Sequence, residues 1–181
     1  MEDLSLHILD VVENSIAAQA KKIEIRVNED VKANLLSIEI KDDGKGMSEE
    51  MVKKTLDPFF TTRTTRRVGL GIPLFAQAAR ECNGGFQIES EPEKGTRVLA
   101  TFQYDNIDRK PWGGMTETLV TLIVGNPEID FYYEHRKGSF VYTLDTAEIR
   151  SGLEGLPMNH PSVVEAIRRN IKENLGMIGI S

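Results

Sequence analysis

Two oxygen-bearing side chains lie four residues apart in the first segment of the chain. Asp10 and Asn14 share one face of a predicted helix over Leu4–Ala20, because residues at i and i+4 are neighbours on a helix surface. An amide oxygen near a carboxylate suits Mg²⁺, which keeps several waters and prefers phosphate oxygens as its other partners. A polar stripe on a solvated helix would give the same pair, so the spacing alone leaves both interpretations open.

A second cluster, Asp42-Asp-Gly44-Lys-Gly46-Met47, follows a predicted strand. Ligands commonly bind where strands end, and glycines let the backbone approach a flat ring closely. A fixed carboxylate such as that of Asp42 can accept a hydrogen bond from an exocyclic amine, which is the distinctive donor of adenine. An ordinary glycine-containing turn is equally compatible with this segment.

The third group of residues could bind phosphate. Gly69, Leu70 and Gly71 lead into a predicted helix over Ile72–Cys82, and the free N–H groups of a helix N-terminus attract anions. The segment is not a Walker motif, because no Gly-Lys-Ser/Thr follows it. Residues 58–80 contain no acidic residue, and their arginines would form either a lid over a triphosphate or a solvated loop: Arg63, Arg66, Arg67 and Arg80.

The elements that must position these groups alternate between helical and strand periods. Apolar residues at every second position predict strands at Ile23–Val27 and Leu36–Ile40, each with one polar face. Such a sheet carries helices on its apolar face only, so we predict an α/β fold with two layers. The other predicted elements are helices at Ser48–Leu56, Met115–Val124, Thr146–Leu153 and Ser162–Asn174, and strands at Phe86–Ser90, Arg97–Tyr104, Ile129–Glu134 and Ser139–Leu144.

Composition narrows the class of protein. A chain of 181 residues is one domain, or one domain with an appendage. Its 22 basic and 28 acidic residues give a net charge of −6, which argues against binding to nucleic acid or to anionic membranes. The single cysteine, Cys82, excludes an internal disulfide and favours a reducing compartment. Since the sequence has neither a signal peptide nor a long apolar run, we expect a cytoplasmic protein.

Taken in order, the motifs resemble the GHKL superfamily of gyrase, Hsp90-type chaperones, histidine kinases and MutL-type repair ATPases. Asp10–Ala20 is similar to the N box, Asp42–Met47 to the G1 box and Asp57–Phe60 to the F box. Gly69–Thr96 resembles the G2-to-G3 segment of histidine kinases. The resemblance covers about residues 4–104 and implies a two-layer α/β sandwich, the Bergerat ATP-binding fold, with a mixed sheet and helices on one face.

The resemblance also implies ATP and Mg²⁺ as ligands, and it assigns residues to them. Asn14 would ligate the magnesium, and Asp42 would accept from the adenine amino group with Thr96 in support. The other residues implied to bind ATP are Gly44, Gly46, Met47, Arg63, Gly69, Leu70 and Gly71. We divide the chain into an ATP-binding core over residues 1–104 and a C-terminal extension over 105–181, which comprises a linker, a helix, a β-hairpin and further helices.

Asp10 departs from the family pattern. The ATPase branches carry Glu four residues before the magnesium Asn, as the base for the attacking water, whereas histidine kinases usually carry Asn there. Because Asp10 is a carboxylate one methylene shorter, we predict slow hydrolysis with Asp10 as the catalytic base. Ala17 stands where kinases commonly have Lys, and no dimerisation helix pair with a phosphoacceptor precedes the N box in this sequence.

Three functions follow from these observations. The first is a stand-alone histidine kinase-like Mg-ATP-binding domain with slow ATPase activity and a regulatory role. The second is a split histidine kinase or an anti-sigma-type serine kinase that phosphorylates a separate partner, and the third is a non-catalytic ATP sensor. We expect a protein partner of open identity, leave a homodimer open, and expect no nucleic-acid or membrane partner. His7 is expected to be structural, and His135 and His160 are expected at the surface.

Overall fold

The described residues, 3–57, 59 and 71–181 of a computed structural model, form helices and strands in the order that the hydrophobic periods predict. Each element predicted within these residues is present with its predicted type, while the bounds differ slightly; the first helix ends at Ala17 rather than Ala20. The helices are α1 Leu4–Ala17, α2 Glu49–Thr55, α3 Gly71–Glu81, α4 Met115–Gly125, α5 Thr146–Ser151 and α6 Pro161–Gly176. The strands are β1 Lys22–Asp30, β2 Leu35–Asp42, β3 Phe86–Glu91, β4 Gly95–Gln103, β5 Asp130–Lys137 and β6 Phe140–Asp145.

Side-chain caps explain where three of the helices begin. The carboxylate of Asp3 accepts a hydrogen bond from the Leu6 N–H of α1 at 3.0 Å. Ser48 caps α2 in the same way, and Asp145 caps α5. Each cap pairs an N–H group that has no partner inside its helix, which typically contributes about 1 kcal/mol. After α1, Gln19 adopts a left-handed backbone with φ of 61°, which ends the helix.

The strands form one mixed sheet in the order β3-β4-β2-β1-β5-β6. β5 runs parallel to β1, and the other neighbouring strands pair in antiparallel fashion. The predicted α/β class with a mixed sheet is therefore confirmed. The C-terminal hairpin β5–β6 lies beside β1 and widens the sheet; it does not cover the polar face. The division of the chain at residue 104 stays a prediction.

One face of the sheet is apolar and the other is charged, as the alternation predicts. The register aligns Ile25 with Ile40 on one side and with Tyr133 on the other, and all three side chains are buried. α1 and α3 pack on this apolar face, α4 packs on α1, and α6 packs on α4. The opposite face carries ion pairs such as Arg97 with Glu39, whose Nη2 and Oε2 atoms are 2.6 Å apart. None of the described helices is long and apolar enough to span a bilayer.

His135 is buried, so its predicted surface position is wrong. β5 continues past Glu134, and the alternation that buries Phe131 and Tyr133 also directs His135 to the apolar face. Its Nε2 lies 2.6 Å from Glu29 Oε1, and its Nδ1 lies 2.7 Å from the Tyr133 hydroxyl. The Tyr104 hydroxyl donates to the second oxygen of Glu29 at 3.0 Å. This buried polar network joins β1 to β5. His160 is half-buried and caps α6.

The Glu29 carboxylate predicts an acid-sensitive stability. Burial, the largest effect, acts to raise the pKa of Glu29, but the His135 hydrogen bond and charge, Tyr104 and Lys137 together lower it below its ordinary value of 4.5. Its contribution is therefore complete above about pH 4.5 and is lost as the pH falls through the folded-state pKa. We expect Glu29→Gln to lower the free energy of unfolding at pH 7 by about 1–3 kcal/mol.

Urea unfolding at pH 7 and at pH 4 measures this difference. Glu29→Gln should also reduce the loss of stability between the two pH values, whereas the exposed Glu173→Gln should change neither quantity. Equal acid sensitivity in Glu29→Gln and the parent would contradict the role given to this carboxylate.

Candidate functional site

A cavity of about 190 Å³ opens where α1 and α2 meet the ends of β2 and β4. It is smaller than the roughly 300–1,000 Å³ of sites for drug-sized ligands, so it fits a ring system rather than a whole nucleotide. Most of its wall is apolar, and a few polar groups converge in it. The lining side chains include Val11, Asn14, Ser15, Ile40, Asp42, Met47, Met51, Thr55, Ile72, Thr96 and Val98.

Asp42 is the charged residue of this cavity and is only 7% exposed. As the last residue of β2, it turns its side chain toward the apolar face, where Ile38 and Ile40 precede it. Oδ2 accepts a hydrogen bond from the Ser15 hydroxyl at 2.6 Å, and Oδ1 accepts one from the Gly44 N–H at 2.8 Å. Both oxygens are thus fixed, and a carboxylate oxygen can accept a further bond from a ligand because each has two lone pairs.

Ser15 is a site residue that the sequence analysis missed. It is 3% exposed and lies one turn after Val11 on the buried stripe of α1. A hydroxyl at a position that helical periodicity reserves for an apolar side chain needs a partner when it is buried. A serine within the apolar stripe was therefore a sign of a buried hydrogen bond. The sequence could not identify the partner, because Asp42 is 27 positions away along the chain.

Thr96 lies on the opposite wall, and Ser90 supports it from behind. Thr96 pairs with Asp42 across β2 and β4, and its hydroxyl lies 2.9 Å from the Ser90 hydroxyl. The Met47 N–H donates to Ser90 Oγ at 2.8 Å, which ties the glycine-rich turn to β3. Ser90 was not among the predicted residues, because it contributes to the cavity by positioning its neighbours.

The glycine-rich turn requires glycine at two positions. Gly46 has φ of 68°, and a Cβ built there would lie 1.8 Å from the carbonyl oxygen of Glu91. Gly44 lies so close to α1 that a Cβ would be 2.8 Å from the Ala18 carbonyl oxygen. The close approach of backbone to α1 and β3 closes the floor of the cavity, so an ordinary side chain at either position would displace that floor.

Asp10 lies against the start of α3. A Cβ built on Gly71, the first residue of α3, would be 2.9 Å from the Asp10 Cβ, so the two residues are in direct contact. Burial, and to a lesser extent the charge of Glu13, raises the pKa of the Asp10 carboxyl. Asn14, one turn further along α1, lines the cavity. Asp10 and Asn14 therefore flank the space between the cavity and the N-terminus of α3.

Three predicted residues, Arg63, Gly69 and Leu70, lie outside the described residues. The predicted lid arginines Arg66 and Arg67 lie there as well. Their assignments stay predictions.

His7 lies on α1 one turn before Asp10, whereas the cavity residue Asn14 lies one turn after it. His7 is 4% exposed, and its ring stacks on Phe75 of α3 with centroids 5.2 Å apart. Burial is the main cause that lowers its pKa from 6.5. These contacts support the structural role that was predicted for this histidine.

The fold and the cavity define a class. A mixed sheet covered on one face by helices, with a buried carboxylate at a strand end and glycine turns around it, is an α/β sandwich with a small-molecule cavity. The family described as histidine kinase-, DNA gyrase B- and HSP90-like ATPase matches residues 2–106. The chain therefore belongs to this family, as the motifs predicted.

Sensor kinases are among its relatives. The chain is 32% identical over 88 residues to Sporulation kinase C of Bacillus subtilis, a match that covers 49% of this chain and 20% of that protein. It is 35% identical over 89 residues to Sensor protein kinase FleS of Pseudomonas aeruginosa, covering 49% of this chain and 22% of that protein. The matches thus span about a fifth of the length of these relatives.

A solved structure extends the similarity in fold. The chain matches the N-terminal domain of a DNA repair protein with a TM-score of 0.54 and 18% sequence identity. The match covers 95% of this chain and 56% of the other. At this identity the likeness concerns the fold alone, and it includes elements on both sides of residue 104.

The constraint on Gly46 can be tested directly. We expect Gly46→Ala to lower the free energy of unfolding by at least the roughly 1–2 kcal/mol that a left-handed backbone costs, because the new Cβ also collides with the Glu91 carbonyl. Gly176→Ala is the matched control, since a Cβ on this residue of α6 has no atom within 4 Å. Thermal and urea unfolding provide the measurement. Equal stability of the two variants would refute the close approach at Gly46.

Proposed function

We propose that this chain binds Mg-ATP in the Asp42 cavity and hydrolyses it slowly, as a regulatory module that acts on a protein partner. The observation that carries this proposal is the buried Asp42 carboxylate, oriented by Ser15 and Gly44 in a largely apolar cavity. An apolar slot with one fixed acceptor suits a flat ring that carries an amino group. Family membership supplies independent support.

Adenine fits this arrangement better than guanine does. The Asp42 carboxylate accepts a hydrogen bond, and adenine presents an exocyclic amine as a donor at the position where guanine presents a carbonyl acceptor. Val11, Ile40 and Ile72 would contact the ring faces, and the Thr96 hydroxyl would support the ring edge. We therefore propose a preference for ATP over GTP.

The donor set near the cavity fits magnesium bound through phosphate. Asn14 offers one neutral oxygen, and the described residues contain no cluster of three His, Cys, Asp or Glu side chains that could hold a metal without a ligand. Mg²⁺ commonly takes one or two protein oxygens and completes its shell with phosphates and water. Bound there, Mg²⁺ would neutralise phosphate charge, with Asn14 as the protein's ligand.

The phosphates would lie toward the start of α3. Gly71, the first residue of α3, lies against Asp10, and a helix N-terminus favours negative charge. Gly71 would allow a close approach there. Gly69, Leu70 and Arg63 would continue the same cradle, as the sequence predicts.

Asp10 is proposed as the general base. Its position beside Gly71 would let it hold a water near the terminal phosphate, and its raised pKa makes it a better proton acceptor than an ordinary aspartate. Its side chain is one methylene shorter than the Glu of the ATPase branches. Misplacement on that scale can cost about a hundred-fold in rate, so we expect slow turnover.

The kinases among the relatives favour a second candidate. Sporulation kinase C and Sensor protein kinase FleS are both kinases by name, so the second candidate is transfer of phosphate to a separate protein instead of to water. Incubation with γ-labelled ATP separates the candidates: free phosphate supports hydrolysis, label on a protein supports a kinase, and binding without either supports an ATP sensor.

The adenine assignment predicts the effect of Asp42→Asn. The amide would turn a donor toward the adenine amine, and losing a hydrogen bond to a charged group costs about 1.5–3 kcal/mol, or roughly ten-fold or more in ATP affinity. Isothermal titration calorimetry with Mg-ATP measures the change. Asp43→Asn is the matched control. Asp43 accepts hydrogen bonds from the backbone N–H groups of Lys21 and Lys22 and does not line the cavity. An unchanged affinity in Asp42→Asn would rule out this assignment.

The role of Asp10 predicts a separation of binding from turnover. Asp10→Asn should reduce hydrolysis by about a hundred-fold or more, because the base is lost, while Mg-ATP binding persists. Asn14→Ala should weaken binding and turnover together. Phosphate release and calorimetry measure the two quantities, with the exposed Glu173→Gln as the control. Parental rates in Asp10→Asn would show that Asp10 is not the base.

A further inference from the structure

β6 is an edge strand with little protection against further pairing. It is the last strand in the sheet order, and no other strand of the described residues pairs with its outer side. Its sequence, Phe-Val-Tyr-Thr-Leu-Asp, contains neither Lys nor Pro, and Val141 on the polar face is 48% exposed. Proteins usually protect such edges with charge, proline or a covering segment, because free backbone N–H and C=O groups recruit another strand.

A groove of about 430 Å³ runs along this edge, between β6, α5 and α6. It contacts both Thr143 and Leu144, whose side chains point to opposite faces of the sheet. The groove thus borders two consecutive residues of the unpaired edge strand. The Tyr142 hydroxyl donates to Asn170 at 2.7 Å, which holds α6 next to β6. The groove thus has an unpaired strand on one side and a helix on the other.

Six of the eleven described residues that line the groove are apolar. A segment paired with β6 would direct every second side chain into these walls, which a strand's alternation permits. The apolar residues that line it are Leu144, Ile149, Leu153, Val163, Ala166 and Ile167.

The charged lining residues of this groove are both acidic. Asp145 accepts from the Ala147 N–H through one oxygen, and Glu148 lies in the first turn of α5. Among the residues that the structure describes, neither Lys nor Arg lines the groove. Lysine or arginine next to the apolar side chain of a bound segment would therefore increase its electrostatic complementarity to the groove.

We propose that the β6 edge and its groove bind an extended segment of a partner protein, which adds to the sheet as a further strand. The segment would carry a β-branched or other apolar side chain flanked by basic residues. Backbone hydrogen bonds would supply affinity, and the groove with Asp145 and Glu148 would supply specificity. The groove shares no lining residue with the Asp42 cavity, so this inference is independent of the proposed ATP chemistry.

Two labelled octapeptides test the proposal on the full chain. One alternates Lys and Val, the other alternates Glu and Val, and fluorescence anisotropy measures their binding. The basic peptide should bind at least ten-fold more tightly than the acidic one. It should also slow amide hydrogen exchange within residues 140–145, because edge N–H groups become paired.

Two pairs of exposed substitutions locate the site. Ala166→Trp fills the groove and should lower the affinity for the basic peptide at least ten-fold. Lys172→Trp on the same helix should leave this affinity unchanged. Glu148→Lys should lower the affinity for the basic peptide about three- to ten-fold, whereas Glu173→Lys should have little effect on it. Circular dichroism checks that each variant is folded.

Several outcomes would overturn the proposal. These are no binding of the basic peptide, equal binding of both peptides, protection at β3 instead of β6, or equal affinities within each pair of variants. Analytical ultracentrifugation could give one further outcome that contradicts the proposal. A dimer that forms with rising concentration and protects residues 140–145 without peptide would assign the edge to a second copy of the chain.

Discussion

The cavity depends on how the Asp42 carboxylate is satisfied. A charged group that is 7% exposed is costly to bury unless its oxygens are hydrogen-bonded. Ser15 and the Gly44 N–H meet that requirement, and they come from α1 and from the turn after β2. The Ser15 bond therefore also ties α1 to the end of β2, whereas the Gly44 bond stays within the turn after β2. Asn14 and Asp10 take their positions from that placement of α1.

The one-sided sheet decides where such a cavity can form. Ion pairs such as Arg97 with Glu39 keep the opposite face polar, and exposed pairs of this kind contribute little to stability. Because of these charged side chains, the opposite face offers little apolar surface on which α1 or α3 could pack. α1 and α3 pack on the apolar face, and the Asp42 cavity opens where α1 meets the ends of β2 and β4. The proposed ligand site therefore lies at one end of the sheet.

The C-terminal residues change the molecule by extending its sheet. β5 pairs in parallel with β1, and the buried Glu29–His135 pair fixes the contact between them. The widened sheet places β6 at one edge, with β1 and β5 between it and the Asp42 cavity strands. A partner bound at that edge would leave the cavity open. In the proposed function, nucleotide chemistry and partner contact would then occupy separate parts of one continuous fold.

The sequence by itself determined the type of each element, the one-sided sheet and the family, because hydrophobic period and motif spacing are local properties. Through the resemblance of its ordered motifs to that family, it also predicted that Asp42, Gly46 and Thr96 belong to one site. Only the tertiary structure decided that Ser15 meets Asp42, that His135 is buried against Glu29, and that the C-terminal hairpin widens the sheet. These facts depend on contacts between residues far apart in the chain, such as the 106 positions between Glu29 and His135. Local patterns give the faces of a strand, but the neighbour that a face meets is set by how the whole core packs.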